Sequence, residues 1–143
     1  MKAIKKIIAF FLVLILVIPV SAATVSEAAP CASAYLNSYS ANISSQGSSS
    51  YRVTFTARAT SVMDKLGAVS ITVYQSMDGA NWSNMGTISG LAGMIGEDKI
   101  YYNSYLDITG DAGVYYQAKV GIIAEKDGSS ETRYLFTDVI RLG

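Results

Sequence analysis

The stretch that decides the fold is Asp111-Ala-Gly-Val-Tyr-Tyr-Gln-Ala-Lys-Val-Gly-Ile122. It begins in a turn signal, Thr109–Gly113, and then alternates between apolar and polar residues. One face carries Val114, Tyr116, Ala118, Val120 and Ile122, and the other carries Tyr115, Gln117, Lys119 and Gly121. A period of two with one apolar face is typical of a half-buried β-strand. We therefore predict a strand whose inward-facing tyrosine is Tyr116, and we expect that tyrosine to fix the preceding corner.

Similar alternation on both sides of this stretch predicts about seven strands. The other segments are Tyr35–Ile43, Tyr51–Ala59, Ala68–Ser76, Asn84–Ile88, Lys99–Thr109 and a last strand through Tyr134, Phe136 and Val139. Asp78-Gly79 predicts a tight hairpin turn, because it supplies the backbone conformations that such turns need. All 10 tyrosines follow residue 30, which fits the composition of β-sheets.

Two segments interrupt the alternation. Ser61–Gly67 is predicted to be a turn or a single helical turn that crosses between two sheets, with Met63 and Leu66 filling the end of the core. Ser89–Gly96 is too rich in glycine for a regular strand. We expect it to be a loop folded over the end of the core; an exposed, adhesive loop is the alternative.

The first 22 residues have the three parts of a secretory signal peptide. Basic residues precede an apolar run, Ile7–Val20, and small residues follow at Ser21-Ala22. The run is shorter than the ~20 residues that a membrane-spanning helix needs. We expect cleavage after Ala22, a flexible lead-in at 23–33, and a secreted or loosely surface-associated protein. Cys31 cannot form an intramolecular disulfide, because it is the single cysteine in the chain.

Charge and composition exclude several partners. Three of the 11 basic residues lie in the signal segment, so the remainder carries 8 basic against 11 acidic residues, a net charge of −3. This weakly acidic balance argues against nucleic acid and against a membrane surface after signal cleavage. The expected partners are a glycan, the cell wall or a surface protein.

The corner at Asp111–Ala118 resembles the Asp-x-Ala-x-Tyr-x-Cys corner of immunoglobulin domains, although Gln117 stands in place of the cysteine. With Tyr116 inward, the order Tyr-x-Ala-x-Val resembles fibronectin-III domains more closely. The resemblance implies an all-β fold, a single antiparallel β-sandwich over residues 34–143. A jelly roll or small barrel is the alternative.

A second resemblance covers nearly the whole chain after the signal segment. It is to a group of small exported proteins of Gram-positive bacteria that has no assigned activity. The segments that carry it are Met63–Ala68, Ile71–Tyr74, Trp82, Tyr116–Val120 and the Ala124…Gly128…Arg133-Tyr134 ending. This resemblance implies export and a β-sandwich.

The sequence predicts no catalytic residue, no cofactor and no metal site. The chain has no histidine, which removes Ser-His-Asp and Cys-His catalysis. Acidic residues cluster at predicted turns, where turn formation explains them better than hydrolysis or Ca²⁺ binding. They are Asp78, which has the neutral oxygen ligand Asn81 nearby, Glu97 with Asp98, Asp107 with Asp111, and Glu125 with Asp127 and Glu131.

Exposed aromatic residues are the remaining candidates for function. Alternation places Tyr74, Tyr101, Tyr105 and Tyr115 on outward faces. Such residues can contact sugars or proteins, or they can simply stabilise the sheet as cross-strand pairs. We expect a non-enzymatic, exported binding or adhesion module. The alternatives are a self-associating envelope component, through edge strands or the Gly90–Gly96 loop, and a small hydrolase.

Overall fold

The computed structural model describes residues 33–143. The predicted signal segment, Cys31 and all of the lead-in except Ser33 lie outside the described residues. The β-structure and its core belong to the unit Ala32–Gly143. Its strands are β1 (Leu36–Ser45), β2 (Ser50–Ser76), β3 (Ser83–Ile88), β4 (Ile95–Thr109), β5 (Tyr115–Lys126), β6 (Ser129–Phe136) and β7 (Ile140–Arg141).

The described part of the chain is therefore all-β, and its seven strands form one antiparallel sheet that curls into a half-barrel. The path β1-β2-β5-β6 is extended by β3 and β4, which pair with β2, and by β7, which pairs with β5. Every pairing is antiparallel. The number of strands matches the prediction of about seven, but the strands do not all correspond. The predicted strands Tyr51–Ala59 and Ala68–Ser76 are both part of β2, and the predicted last strand is divided into β6 and β7, with Val139 between them.

The strand β2 connects the two walls of the half-barrel. One wall contains its first half and the other contains its second half. This strand has 27 residues. A straight strand of that length would measure about 90 Å, far more than a domain of this size can hold, so it must bend. Its first half pairs with β1 and with the end of β4, while its second half pairs with β5 and β3. At Lys65 the neighbours are Glu97 of β4 and Glu125 of β5.

The predicted turn at Ser61–Gly67 is wrong, because these residues lie inside β2. The pairing with β4 shifts between Arg58 and Met63, so β2 carries extra residues opposite a short stretch of its partner. Such a bulge bends a strand and breaks its alternation, which imitates a turn in the sequence. Met63 and Leu66 are nevertheless fully buried, as predicted.

The corner before β5 follows the predicted register. Val114, Tyr116, Ala118, Val120 and Ile122 are all buried. The Tyr116 hydroxyl accepts a hydrogen bond of 2.9 Å from the Asp111 backbone N–H. The Tyr116 ring stacks on Tyr51 of β2, with the ring centroids 4.5 Å apart. The side chain therefore ties the β4–β5 corner to the core.

The loops behave partly as predicted. Asp78-Gly79 forms the turn between β2 and β3, with a positive φ at Gly79. In the predicted Ser89–Gly96 loop, Met94 is buried and the Ala68 backbone N–H donates to its carbonyl oxygen, whereas Leu91 is half exposed. The loop is thus attached to the core by its second half, and Ile95-Gly96 already belong to β4.

Candidate functional site

The four tyrosines selected from the sequence do not form one patch. Tyr101 and Tyr105 lie on β4, against the first half of β2. Tyr74 and Tyr115 lie on the second half of β2 and on β5, where they are diagonal neighbours. No ring contact joins any two of these four within residues 33–143.

The two β4 tyrosines pair with arginines of β2. The Arg58 guanidinium lies 5.3 Å from the Tyr101 ring centroid, and that of Arg52 lies 3.8 Å from the Tyr105 ring centroid. Arg52 also donates two hydrogen bonds, of 2.7 and 2.8 Å, to Asp107. These bonds raise the pKa of Arg52 and lower the pKa of Asp107. Cross-strand pairing therefore accounts for the position of both tyrosines.

Tyr115 is half-buried beside the hairpin turn. A methyl group added at Gly79 would lie 3.6 Å from its ring, and the Arg141 guanidinium lies 5.6 Å from the ring centroid. The turn itself is held by Asp78, whose carboxylate accepts hydrogen bonds from Ser76 and from the backbone of Ala80 and Asn81. Tyr115 thus packs under a rigid turn, which limits the area that it offers to a ligand.

The two most exposed aromatic side chains of the described residues lie on β6, and the alternation pattern did not single them out. Tyr134 and Phe136 are 60% and 56% exposed. The Lys119 ammonium lies 5.0 Å from the Tyr134 ring centroid and 5.8 Å from that of Phe136. Tyr74 adjoins this group, with its ring centroid 6.0 Å from that of Phe136. We call Tyr74, Lys119, Tyr134 and Phe136 the β6 aromatic face.

Gly121 shapes this face. It lies directly opposite Tyr134, and an added methyl group would stand 2.8 Å from the Tyr134 ring. The ring therefore lies against the Gly121 backbone, where a larger residue would push it away. Gly121 was predicted to lie on the outward face of β5 together with Lys119. It is nevertheless buried, because the Tyr134 ring covers it. The spacing Tyr134-x-Phe136 in the sequence already indicates that the two rings lie side by side, since residues two apart share one face of a strand.

Several of the acidic residues at the predicted turns have structural partners. Asp78 accepts four hydrogen bonds within its turn, and these lower its pKa. The bond from the Asn81 backbone N–H contributes most to this lowering of the pKa. Glu125 forms an ion pair with Lys65. No group of three or more potential metal-binding side chains occurs in the described part of the chain.

Glu131 connects the start of the described chain to β6. Its carboxylate accepts hydrogen bonds from the Ser33 hydroxyl, the Tyr35 backbone N–H and the Arg133 side chain. Partial burial raises its pKa, but these hydrogen bonds together outweigh burial and lower the pKa to about 2. Glu131 therefore remains ionised and holds the start of β1 in place.

Comparison with known proteins gives no family: no protein-family model, no curated protein and no solved structure matches this chain. Within residues 33–143, no helix has the length and hydropathy that crossing a membrane would require.

Proposed function

We propose that this protein is an exported, non-enzymatic module that binds a glycan at the cell surface through the β6 aromatic face. The observation that carries the proposal is the side-by-side exposure of Tyr134 and Phe136 on one strand. Large exposed aromatic side chains are unfavourable in water, and clusters of them commonly mark a binding surface. The signal-like first 22 residues support export.

The shape of this face favours a sugar ring as the partner. Tyr134 lies with one side of its ring against Gly121 and presents the rest to solvent. Because the ring is already held against the sheet, it loses little conformational freedom when a ligand stacks on it. Lys119 adds a hydrogen-bond donor beside both rings. Flat rings with adjacent donors suit the apolar faces and hydroxyl edges of a saccharide.

The experiment compares two double variants on immobilised cell-wall polysaccharide and on a glycan array. Tyr134→Ala with Phe136→Ala removes the two exposed rings of the β6 aromatic face, and we expect retention to fall at least about tenfold. Tyr101→Ala with Tyr105→Ala is the matched control, because those rings are 45% and 55% exposed on another part of the sheet. We expect this control to bind like the wild type.

Loss of binding in the control variant, or unchanged binding in the Tyr134/Phe136 variant, would exclude the β6 aromatic face as the site. Self-association through the outer edge of β6 is the competing proposal, since no described strand pairs there. It predicts concentration-dependent oligomers in sedimentation without any glycan present, and these should persist in the Tyr134/Phe136 variant because edge pairing uses backbone groups.

We also propose that the two walls of the sheet pack in an immunoglobulin-like or fibronectin-III-like manner. The support is local: Tyr116 ties the corner to the core by a hydrogen bond to Asp111, and its ring stacks on Tyr51 of the other wall. A tyrosine at that corner is a feature of such sandwiches.

A further inference from the structure

A cavity of about 390 Å³ lies between the edge strands β3 and β4. The bend in β2 creates it, because Tyr51 from the start of that strand and Val73 from its end line the same space. Ile88 of β3 and Ile108 of β4 complete the walls. The volume lies within the range of roughly 300–1,000 Å³ that small-molecule sites occupy.

The lining is mostly apolar and carries no positive charge. Val73, Ile88 and Ile108 are joined by Met85, which is 55% exposed and therefore opens the cavity to solvent on the β3 side. Among the lining residues of the described chain, Asp111 is the one with a formal charge. Such a surface favours apolar molecules and disfavours anions.

The polar side chains of Gln75, Thr87, Thr109 and Asp111 also line the cavity, but Tyr51 is its most deeply buried polar group. It is 1% exposed, yet its hydroxyl has no hydrogen-bond partner among residues 33–143. No fully enclosed side-chain nitrogen or oxygen in the described residues lacks a partner. The Tyr51 oxygen must therefore reach open space, and the cavity is the space that Tyr51 lines. Polar groups removed from bulk water are normally hydrogen-bonded, so this hydroxyl calls for a partner.

The surroundings of Tyr51 keep its hydroxyl protonated and able to donate. Burial, assisted by the neighbouring Tyr116 hydroxyl, raises the pKa of Tyr51 to about 12, so the hydroxyl stays protonated. The Tyr116 ring stacks against it and is itself held by the Asp111 backbone N–H. The Tyr51 O–H is thus a neutral donor on a rigid support.

We propose that this cavity binds a small, neutral, mostly apolar molecule whose carbonyl-type oxygen accepts a hydrogen bond from the Tyr51 hydroxyl. The apolar body of the ligand lies against Val73, Met85 and Ile108, and the rest of it reaches solvent beside Met85. This site is separate from the β6 aromatic face and does not depend on glycan binding.

The test uses three probes of nearly equal shape and a protein of residues 23–143, which contains the whole unit Ala32–Gly143. Benzophenone has the carbonyl, diphenylmethane lacks it, and 4-benzoylbenzoate adds a negative charge. In NMR titrations we expect benzophenone to bind about fivefold more tightly than diphenylmethane, the factor that one net hydrogen bond supplies. We expect 4-benzoylbenzoate to bind more weakly than benzophenone, because Asp111 repels it.

Three variants locate the effect. Tyr51→Phe keeps the stacked ring and removes the hydroxyl, so benzophenone and diphenylmethane should then bind equally. Tyr105→Phe is the matched control, as it removes a hydroxyl outside the cavity and should preserve the fivefold difference. Met85→Ala trims an exposed wall and should weaken both neutral probes, with the core intact.

Equal binding of the two neutral probes to the wild type would overturn the proposal. So would a fivefold difference that persists in Tyr51→Phe, or the absence of binding by either probe up to about 1 mM. Tyr134→Ala with Phe136→Ala should leave benzophenone binding unchanged, so this result and that of the glycan experiment are independent.

Discussion

At the scale of the residue, Tyr116 links the sequence to the fold. Its register follows from alternation alone, because the opposite choice would turn Gln117 and Lys119 into the core, where unpartnered polar groups are costly. The structure adds what alternation could not supply, namely the hydrogen bond to Asp111 and the stacking partner Tyr51. Alternation shows only which face of a strand a residue occupies. It does not show the turn geometry that brings Asp111 to the Tyr116 hydroxyl, or the strand packing that brings Tyr51 to the Tyr116 ring.

Removal of the Tyr116 hydroxyl tests this role. We expect Tyr116→Phe to lower the free energy of unfolding by about 1 kcal/mol, because the Asp111 backbone N–H loses its acceptor. Tyr115→Phe should have almost no effect, since the Tyr115 hydroxyl makes no hydrogen bond within residues 33–143. Urea unfolding of both variants measures the difference. Equal losses of unfolding free energy, or a larger loss in Tyr115→Phe, would contradict the assignment of Tyr116 as the inward-facing tyrosine of the corner.

Glu131 predicts a dependence of stability on pH. Its pKa in the folded protein is about 2, below the ordinary value of 4.5. The stabilisation is therefore complete above about pH 4.5 and is lost as the pH falls towards 2. Glu131→Gln should lose less stability than the wild type between pH 5 and 2 in denaturation curves. Glu97→Gln is the control, because it removes an exposed carboxylate on β4. If both variants lost as much stability as the wild type over this pH range, Glu131 would not be the group responsible.

At the scale of the element, β2 depends on Gly67, where β4 begins beside it. Gly67 has a positive φ, and an added methyl group would overlap the Met94 carbonyl oxygen that accepts the Ala68 N–H. This close backbone approach anchors the second half of the Ser89–Gly96 loop. No side chain fits between the two segments.

Gly67→Ala should therefore destabilise the protein by about 3 kcal/mol, as overpacking adds to the cost of the backbone conformation. Gly47→Ala is the matched control: Gly47 also has a positive φ, but nothing lies within 4 Å of an added methyl group. We expect the control to lose only about 1 kcal/mol. Similar losses in the two variants, measured by chemical denaturation, would show that the strands do not meet at Gly67.

Most strands were predictable from the sequence, whereas the way in which they join was not. The alternation at 111–122 is long and regular, so its buried face could be assigned residue by residue. The bend at Ser61–Gly67 was misread because a bulge and a turn both interrupt alternation. The β6 aromatic face was missed because Lys119 and Tyr74 meet Tyr134 and Phe136 only through strand pairing, which local patterns do not encode.

At the scale of the whole molecule, β2 contributes to both proposed sites. The second half of β2 contributes Tyr74 to the β6 aromatic face. The two ends of the strand, at Tyr51 and Val73, enclose the cavity. If β2 were two strands joined by a turn, the cavity would not have the geometry described above. The cavity therefore depends on the continuity of β2 through Ser61–Gly67.

Backbone NMR of residues 23–143 tests that claim most directly. For one bent strand, Lys65 should show extended-strand chemical shifts and cross-strand NOEs to residues at both Glu97 and Glu125. Turn or helical chemical shifts across Ser61–Gly67, without contacts to β4, would contradict the structure and remove the basis of the proposed cavity.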